Sequence, residues 1–226
     1  MALPASELDF VTIKTTAPLQ PFPLNGARKQ IRTKRLILRP FEDTDLDALH
    51  GMRLQPEVMW WTIQGRPDIE LAESRANLAK RMPPNDATTY DMAIVEAATG
   101  AFVGCGGSTL SEGALGWPEI GYMFCKEAWG KGYASEFLGA FIEIWWALPR
   151  QEVQRSVDRS TIDEDDQGGV KREKMIGVTQ GNNERSQGVL RKAGFNLVKI
   201  WNVEDNHEEF KGQMTTLQGF VLKRPA

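Results

Sequence analysis

Apolar positions along this chain change their spacing several times, and each change marks an element. Residues 1–28 carry Pro4, Pro18, Pro21 and Pro23 and show no sustained period. Proline fixes φ and disfavours helix, so the stretch reads as an extended N-terminal arm. Leu36-Ile37-Leu38 reads as a first strand, ended by Pro40. Asp43-Thr44-Asp45 is suited to cap the helix that follows, with Leu46, Leu49 and Met52 at helical spacing. Glu70 to Met82 predicts a second helix with Leu71, Leu78 and Met82 inward, stopped by Pro83-Pro84. Tyr90 to Glu96 and Phe102 to Leu110 form two strands of a hairpin. A glycine-containing loop, Ser111 to Trp117, leads into a strand over Pro118 to Cys125. There Glu119, Gly121, Met123 and Cys125 share one face, and Ile120, Tyr122 and Phe124 the other.

A glycine turn then opens a helix over Tyr133 to Leu148, with Phe137, Phe141, Trp145 and Leu148 as its apolar stripe. Residues 150–173 interrupt the pattern. Asp163-Glu164-Asp165-Asp166, Gly168-Gly169 and Lys171-Arg172 make them read as a solvated surface insertion rather than a functional acidic patch. Met175 to Thr179 is a strand and Glu184 to Ala193 a helix closed by Gly194. Phe195 to Val203 and Met214 to Leu222 are a closing pair of strands. This order gives an α+β fold with a mixed sheet, without the regular alternation of a doubly wound domain. We divide the chain into the arm, 1–28, and a single domain, 29–226, with the insertion at about 150–173.

Composition narrows the function classes. Hydrophobic residues make up 41% and charged residues 25% of 226, ordinary for a globular domain with its own core. A net charge of −3 gives no reason to expect a nucleic-acid partner. No apolar run is long enough for a membrane span, and the start of the chain lacks a signal-peptide pattern, so a cytoplasmic location is expected. Cys105 and Cys125 form no CxxC pair and suit small core residues. His50 and His207, in separate segments without an evident partner carboxylate, suggest neither a metal site nor a histidine-dependent triad.

The strongest chemical signal is Trp129-Gly130-Lys131-Gly132-Tyr133-Ala134, which joins a strand to a helix N-terminus. Such a junction offers unpaired N–H groups and the positive end of the helix dipole, and glycine lets a phosphate approach the backbone. It is not a Walker A loop, because Gly132 follows Lys131 where Ser or Thr is required. Nor is it a dinucleotide fingerprint, because Ser135 stands where a third glycine or alanine belongs.

Together with Glu119-Ile120-Gly121-Tyr122, this segment resembles the GNAT superfamily of acyl-CoA-dependent N-acyltransferases, and most closely its Rim-type branch, named for ribosomal-protein N-terminal acetyltransferases. Thr33-Lys34-Arg35-Leu36-Ile37-Leu38-Arg39-Pro40 resembles that branch's opening strand, and Gln55-Pro56-Glu57-Val58-Met59 the segment after its first helix. Asn183-Glu184-Arg185-Ser186 with Lys192-Ala193-Gly194-Phe195 resembles its Asn-x-x-Ser helix and closing Gly-Phe. The resemblance runs from about Ile31 to Leu222. Two departures stand out: Glu127 occupies a position that is usually Arg or Gln, and the 150–173 insertion has no counterpart.

The resemblance implies a mostly antiparallel sheet whose strands splay at the cofactor site, and acetyl-CoA as acyl donor without a metal. It implies direct attack of a primary amine on the thioester through a tetrahedral oxyanion, with coenzyme A leaving as thiolate. The acceptor would be a small amine or a protein N-terminus, and the assembly a monomer or homodimer. The thioester carbonyl would meet a backbone N–H near Met123, while Phe124 and Cys125 would pair with the pantetheine amides. Backbone N–H groups from Trp129 to Ala134, including Gly130, Lys131, Gly132 and Tyr133, would hold the pyrophosphate. Asn183 would contact the pantetheine, and Ser186 would protonate the thiolate or simply cap its helix. Glu119 is either the general base or a structural carboxylate. Tyr122, on the opposite face, reads as core. Trp60 and Trp61 follow the first helix, where the family builds its acceptor pocket. The alternative function is a catalytically inactive acyl-CoA sensor with the same fold. An acidic insertion folded over the site would favour a cationic acceptor.

Overall fold

The computed structural model describes residues 5–110, 112–163 and 169–225. Its main sheet has eight strands in the order β2-β3-β4-β5-β6-β8-β10-β9. In chain order these are β2 (Ile31–Arg32), β3 (Leu36–Arg39), β4 (Tyr90–Glu96), β5 (Phe102–Leu110), β6 (Glu119–Phe124), β8 (Lys174–Gln180), β9 (Asn196–Glu204) and β10 (Met214–Lys223). All neighbours pair antiparallel except β6 and β8, which run parallel. The helices are α1 (Leu46–Arg53), α2 (Pro56–Met59), α3 (Leu71–Ala79), α4 (Tyr133–Ala147) and α5 (Glu184–Lys192). The α+β fold expected from the element order is the one observed.

Alternation along the strands sends successive side chains to two separate cores. Met92, Ile94, Ile120, Phe124, Met175 and Phe220 face α4 and α5, where Phe137, Phe141 and Trp145 form the expected stripe and are fully buried. Burial of each such aromatic side chain contributes about 1.5–3 kcal/mol. On the other face, Ala93 and Cys105 pack under Phe41, Leu46, Leu49, Met52, Val58 and Leu78 of the α1–α3 region. Leu71, expected inward, is exposed, because α3 begins at that residue and its inner side is carried by Ser74 and Leu78.

The α1–α3 layer covers only the β4–β6 half of that face, and two segments given no partner by the sequence pattern cover the rest. The arm contains β1 (Phe10–Pro18) and the insertion contains β7 (Arg150–Asp158). They pair antiparallel along their whole length, from Phe10 opposite Asp158 to Pro18 opposite Arg150. Ile13 and Val157 of this ribbon join Leu115, Trp117, Ile176, Trp201 and Val221 in a third core. Reading 150–173 as a solvated loop is thereby corrected for 150–158. Inward polar residues disguised the strands. Thr15 is fully buried with its hydroxyl donating to the Lys171 carbonyl at 2.8 Å, and buried Arg155 donates to the Gly116 carbonyl at 3.1 Å. Of the acidic run, Asp163 lies 3.1 Å from buried Lys174 and 2.9 Å from Lys223, both lysines at the ends of strands. Its charge is already matched. Glu164, Asp165 and Asp166 lie outside the described residues. Among the described residues no helix is long and apolar enough to cross a membrane.

Candidate active site

β6 and β8 share a single paired position, Glu119 opposite Ile176, beside a bond from the Ile176 N–H to the Pro118 carbonyl at 2.9 Å. Beyond it the strands part. The Cys125 N–H donates to the Val103 carbonyl at 2.9 Å, and Met123 and Gly121 stand in the same phase of the β5 ladder, opposite Cys105 and Gly107. Backbone groups alternate sides along a strand. The N–H groups of Met123 and Cys125 therefore point into the sheet, and those of Tyr122 and Phe124 face the opening. The expectation that Met123 and Cys125 offer their N–H groups to a ligand is thus off by one residue. Sequence alternation gives two faces but not the phase of the ladder, which is fixed by the β5–β6 register and its irregularity between Ser108 and Leu110.

The glycine turn lies past the end of β6. Gly130 and Gly132 have φ of +75° and +79°, and a Cβ at Gly130 would meet nothing within 4 Å. Gly132 is the N-cap of α4, no side chain caps this end, and the first intrahelical bond comes from the Glu136 N–H to the Gly132 carbonyl. The N–H groups of Tyr133, Ala134 and Ser135 are left for a ligand. Such a helix start could hold an anion such as a pyrophosphate, with space open beside Gly130 and Arg35 Nη2 3.4 Å from where a Cβ on Gly132 would stand. Arg35 buttresses it: Nε lies 2.7 Å from Glu136 Oε2, Nη1 donates to the Lys131 carbonyl at 2.8 Å, and the guanidinium lies over the Tyr133 ring at 4.8 Å. The unusual Glu127 is also accounted for. Gln55 donates to its carboxylate at 3.1 Å and accepts from the Lys126 N–H at 2.8 Å, while Glu57 pairs with the Lys126 ammonium. The turn is clasped from α2's side by the segment that follows α1.

Across the opening stands the start of α5. Asn183 caps it, accepting from the Ser186 N–H at 3.1 Å. Arg185 lies over the Trp129 ring at 5.3 Å, and the Trp129 indole donates to the Phe124 carbonyl at 2.8 Å. The Tyr122 hydroxyl lies 2.9 Å from Ser186 Oγ. Tyr122, read from sequence as core, does pack against Phe124 and Phe137 of the main core; its hydroxyl partner on α5 is a tertiary neighbour that no local pattern reveals.

Glu119 sits where β6 and β8 diverge. Burial pushes its carboxyl above the ordinary carboxylate range, partly offset by the Ala114 N–H at 3.2 Å. A Cβ on Gly113 would come within 2.4 Å of Glu119 Oε2, so glycine is required for this loop to close over the carboxylate. Burial also pushes the Cys105 and Cys125 thiols up to about 11, which leaves neither as a thiolate nucleophile near neutral pH.

In the segment after α2, Trp60 stacks on His207 at 4.0 Å and meets Phe210 edge-on at 6.0 Å, while Trp61 is 38% exposed. His207 does have a partner carboxylate, which the sequence reading missed: Nδ1 lies 2.6 Å from Asp205 Oδ1 and Nε2 lies 2.9 Å from the Trp60 carbonyl. Asn206 donates to the Thr62 carbonyl at 3.0 Å. The β9–β10 connection is thus fastened to the segment carrying both tryptophans. Buried Ser74 donates its one hydroxyl proton to Asp68 at 2.5 Å and so accepts from His50 Nδ1 at 2.9 Å. It lies in the core and is no exposed nucleophile. Among the described residues no cluster of three His, Cys, Asp or Glu side chains could hold a metal ion.

Gly132→Val is expected to weaken acetyl-CoA binding by at least about tenfold, because a β-branched residue at positive φ costs on the order of 1–3 kcal/mol and distorts the turn. Isothermal titration calorimetry checks this, with Gly139→Ala in α4, where a Cβ meets nothing within 4 Å, expected to bind as the parent does.

Comparison with known proteins agrees with this geometry. The family model described as "Acetyltransferase (GNAT) domain" matches residues 35–196. The fold resembles a GNAT-family acetyltransferase from Bacillus anthracis, with a TM-score of 0.62 and 19% identity over 87% of this chain and 99% of that one. It also resembles the spermidine N-acetyltransferase of Vibrio cholerae, solved with CoA and spermine, with a TM-score of 0.58 and 16% identity over 85% and 97% of the two chains. A microcin C7 self-immunity acetyltransferase, solved with acetyl-CoA and AMP, gives a TM-score of 0.60 and 13% identity over 84% and 93%. With the parted parallel pair and glycine turn in place, and well over half of the chain matched by the family model, this protein belongs to the GNAT acetyltransferase family.

Proposed function

We propose that the chain is an acetyl-CoA-dependent N-acetyltransferase of the Rim-type branch, acting on a primary amine of a small molecule or a protein N-terminus. The observation that carries this reading is the divergence of β6 and β8 directly beside an uncapped α4 N-terminus with two glycines at positive φ. Acetyl-CoA would supply an activated acetyl thioester. The N–H groups of Gly132 to Ser135 would hold its pyrophosphate, with Arg35 and Lys131 as nearby cations. The N–H groups of Tyr122 and Phe124 would pair with the pantetheine arm and stabilise negative charge on the acyl oxygen. Glu119 would take the proton released by the attacking amine, directly or through water. Ser186 would donate a hydrogen bond to the departing sulfur. Trp61 and the loop fastened by His207 would border the acceptor.

Thermal unfolding with acetyl-CoA tests the donor. At ~100 times its dissociation constant it should stabilise the fold by about 2.7 kcal/mol, a rise of several degrees, while NAD and ATP leave the transition in place. A rise with NAD or ATP alone would discard the cofactor assignment. Coenzyme A release is then measured with polyamines, aminoglycosides, amino acids and N-terminal peptides. Binding without release from any of these would favour the sensor reading over the enzyme.

A further inference from the structure

The Tyr122 and Ser186 hydroxyls lie 2.9 Å apart, and either oxygen can donate to the other. A serine hydroxyl has one proton to give and two lone pairs to receive with. In the middle of a helix that proton usually returns to the carbonyl one turn back. Ser186 lies in the first turn of α5, three residues after its N-cap Asn183, so the residue four places back lies outside the helix. The carbonyl three places back, on Asn183, already receives the Gln187 N–H at 3.1 Å. Among the described residues, the partner of Ser186 Oγ is the Tyr122 hydroxyl rather than a helix carbonyl.

The Tyr122 hydroxyl is 2.9 Å from Ser186 Oγ and 3.4 Å from the Ser186 carbonyl. Were serine to donate to tyrosine, the phenolic proton would be left with only the longer, weaker contact. Were tyrosine to donate to Oγ, it would use the shorter one, and the serine proton would be left for another acceptor. The ring that carries the phenol is held edge-on by Phe124 at 6.4 Å and Phe137 at 6.2 Å, which fixes where the hydroxyl can be. Burial pushes the phenol up to about 12, so it keeps its proton through the neutral range. Tyr122 also contributes one of the two β6 backbone N–H groups that face the gap, so its main chain and its hydroxyl partner both belong to the same opening.

We propose that Tyr122 is a positioning residue for acetyl transfer: its phenol donates to Ser186 Oγ and thereby aims the serine proton at the sulfur of the bound thioester. This rests on the acetyl-CoA reading above. No proton need cross from tyrosine to serine. When the carbon–sulfur bond breaks, both electrons stay with sulfur, and the resulting thiolate is a charged acceptor whose hydrogen bond from serine is stronger than the bond to the neutral thioester.

The test uses free coenzyme A as probe and needs no acceptor. The thiol of protein-bound coenzyme A is titrated by the ultraviolet absorbance of its thiolate, in the parent protein and in Tyr122→Phe, Ser186→Ala and the double variant. Losing one hydrogen bond to a charged group should move the bound thiol upward by about one pH unit in Tyr122→Phe. Ser186→Ala should move it as far, and the double variant no further, because both substitutions remove the same interaction. Ser186→Thr, which keeps a hydroxyl, should titrate as the parent does. A tyrosine that merely packs the gap would change the melting temperature and leave the thiol where it was. A Tyr122→Phe thiol that titrates with the parent's overturns the proposal, as does a double variant whose shift is the sum of the two. Failure of coenzyme A to bind the parent would instead overturn the cofactor reading, and this proposal with it. Should Tyr122→Phe not fold, an unshifted thiol in Ser186→Ala overturns the proposal alone.

Discussion

Asp68→Ala should lower the melting temperature by on the order of 10 °C, and melting curves followed by circular dichroism will measure it. Asp68 is 4% exposed and faces Arg53, also 4% exposed, with Nε and Nη2 both 2.7 Å from its oxygens. Ser74 and Gln64 donate to the same carboxylate. Removing one member of a buried pair leaves the other charge uncompensated, at a cost of about 3–5 kcal/mol. Arg66 and Glu73 give the contrast. They are also paired, at 2.9 Å, but Arg66 is half exposed and solvent screens the pair, so Glu73→Ala should leave the melting temperature nearly unchanged. The pH dependence has a definite sign. Burial alone would raise the Asp68 carboxyl, but the bonds from Arg53, Ser74 and Gln64 outweigh it and hold the group at about 2, below its ordinary 3.8. Its stabilisation is present above 3.8 and is lost as pH falls toward 2, so the gap between parent and Asp68→Ala should narrow across that window. Because this cluster anchors the segment between α1 and α3, the loss should also loosen the tryptophan-bearing loop.

Glu119→Gln should slow coenzyme A release with the best acceptor by about 10²–10⁴-fold while making the protein more stable at neutral pH. Burial raises the Glu119 carboxyl, so the folded chain holds that proton to higher pH than the unfolded chain does. Stability therefore falls as pH rises from the unfolded value of 4.5 to the raised one, and the penalty persists above it. Glutamine never ionises and escapes the penalty, and its carbonyl can still accept from the Ala114 N–H. The melting temperatures of parent and variant should differ at neutral pH and converge below 4.5. An unchanged release rate together with the stability gain would make Glu119 a structural carboxylate. In the parent, activity should rise with pH through the raised Glu119 value, since only the ionised form can accept the amine's proton.

Much of the domain was legible without coordinates. The strands at 36–39, 90–96, 102–110 and 119–124 and the helices at 46–53, 133–147 and 184–192 follow their apolar periods because each lays one continuous face on a core. The Gly130 and Gly132 positions were legible because positive φ at a helix start is a local backbone requirement that glycine meets without strain. β1 and β7 were hidden for the opposite reason. Ile13 and Val157 are too few to mark a buried face, and the inward polar side chains, Thr15 and Arg155, find their partners only after folding.

By itself, then, the sequence determined the α+β class, the order of most elements between Leu36 and Leu222, the glycine turn that opens α4 and the set of candidate residues around it, since each depends on neighbours within a few positions. Only the tertiary structure decided which of those residues meet. Ladder phase, set by pairing with β5, turned the N–H groups of Tyr122 and Phe124 into the gap and those of Met123 and Cys125 away from it. Packing of α5 against the sheet brought Ser186 to Tyr122, and the β9–β10 connection brought Asp205 and His207 to Trp60. These are contacts between residues 64 and 147 positions apart, and chain periodicity carries no record of them.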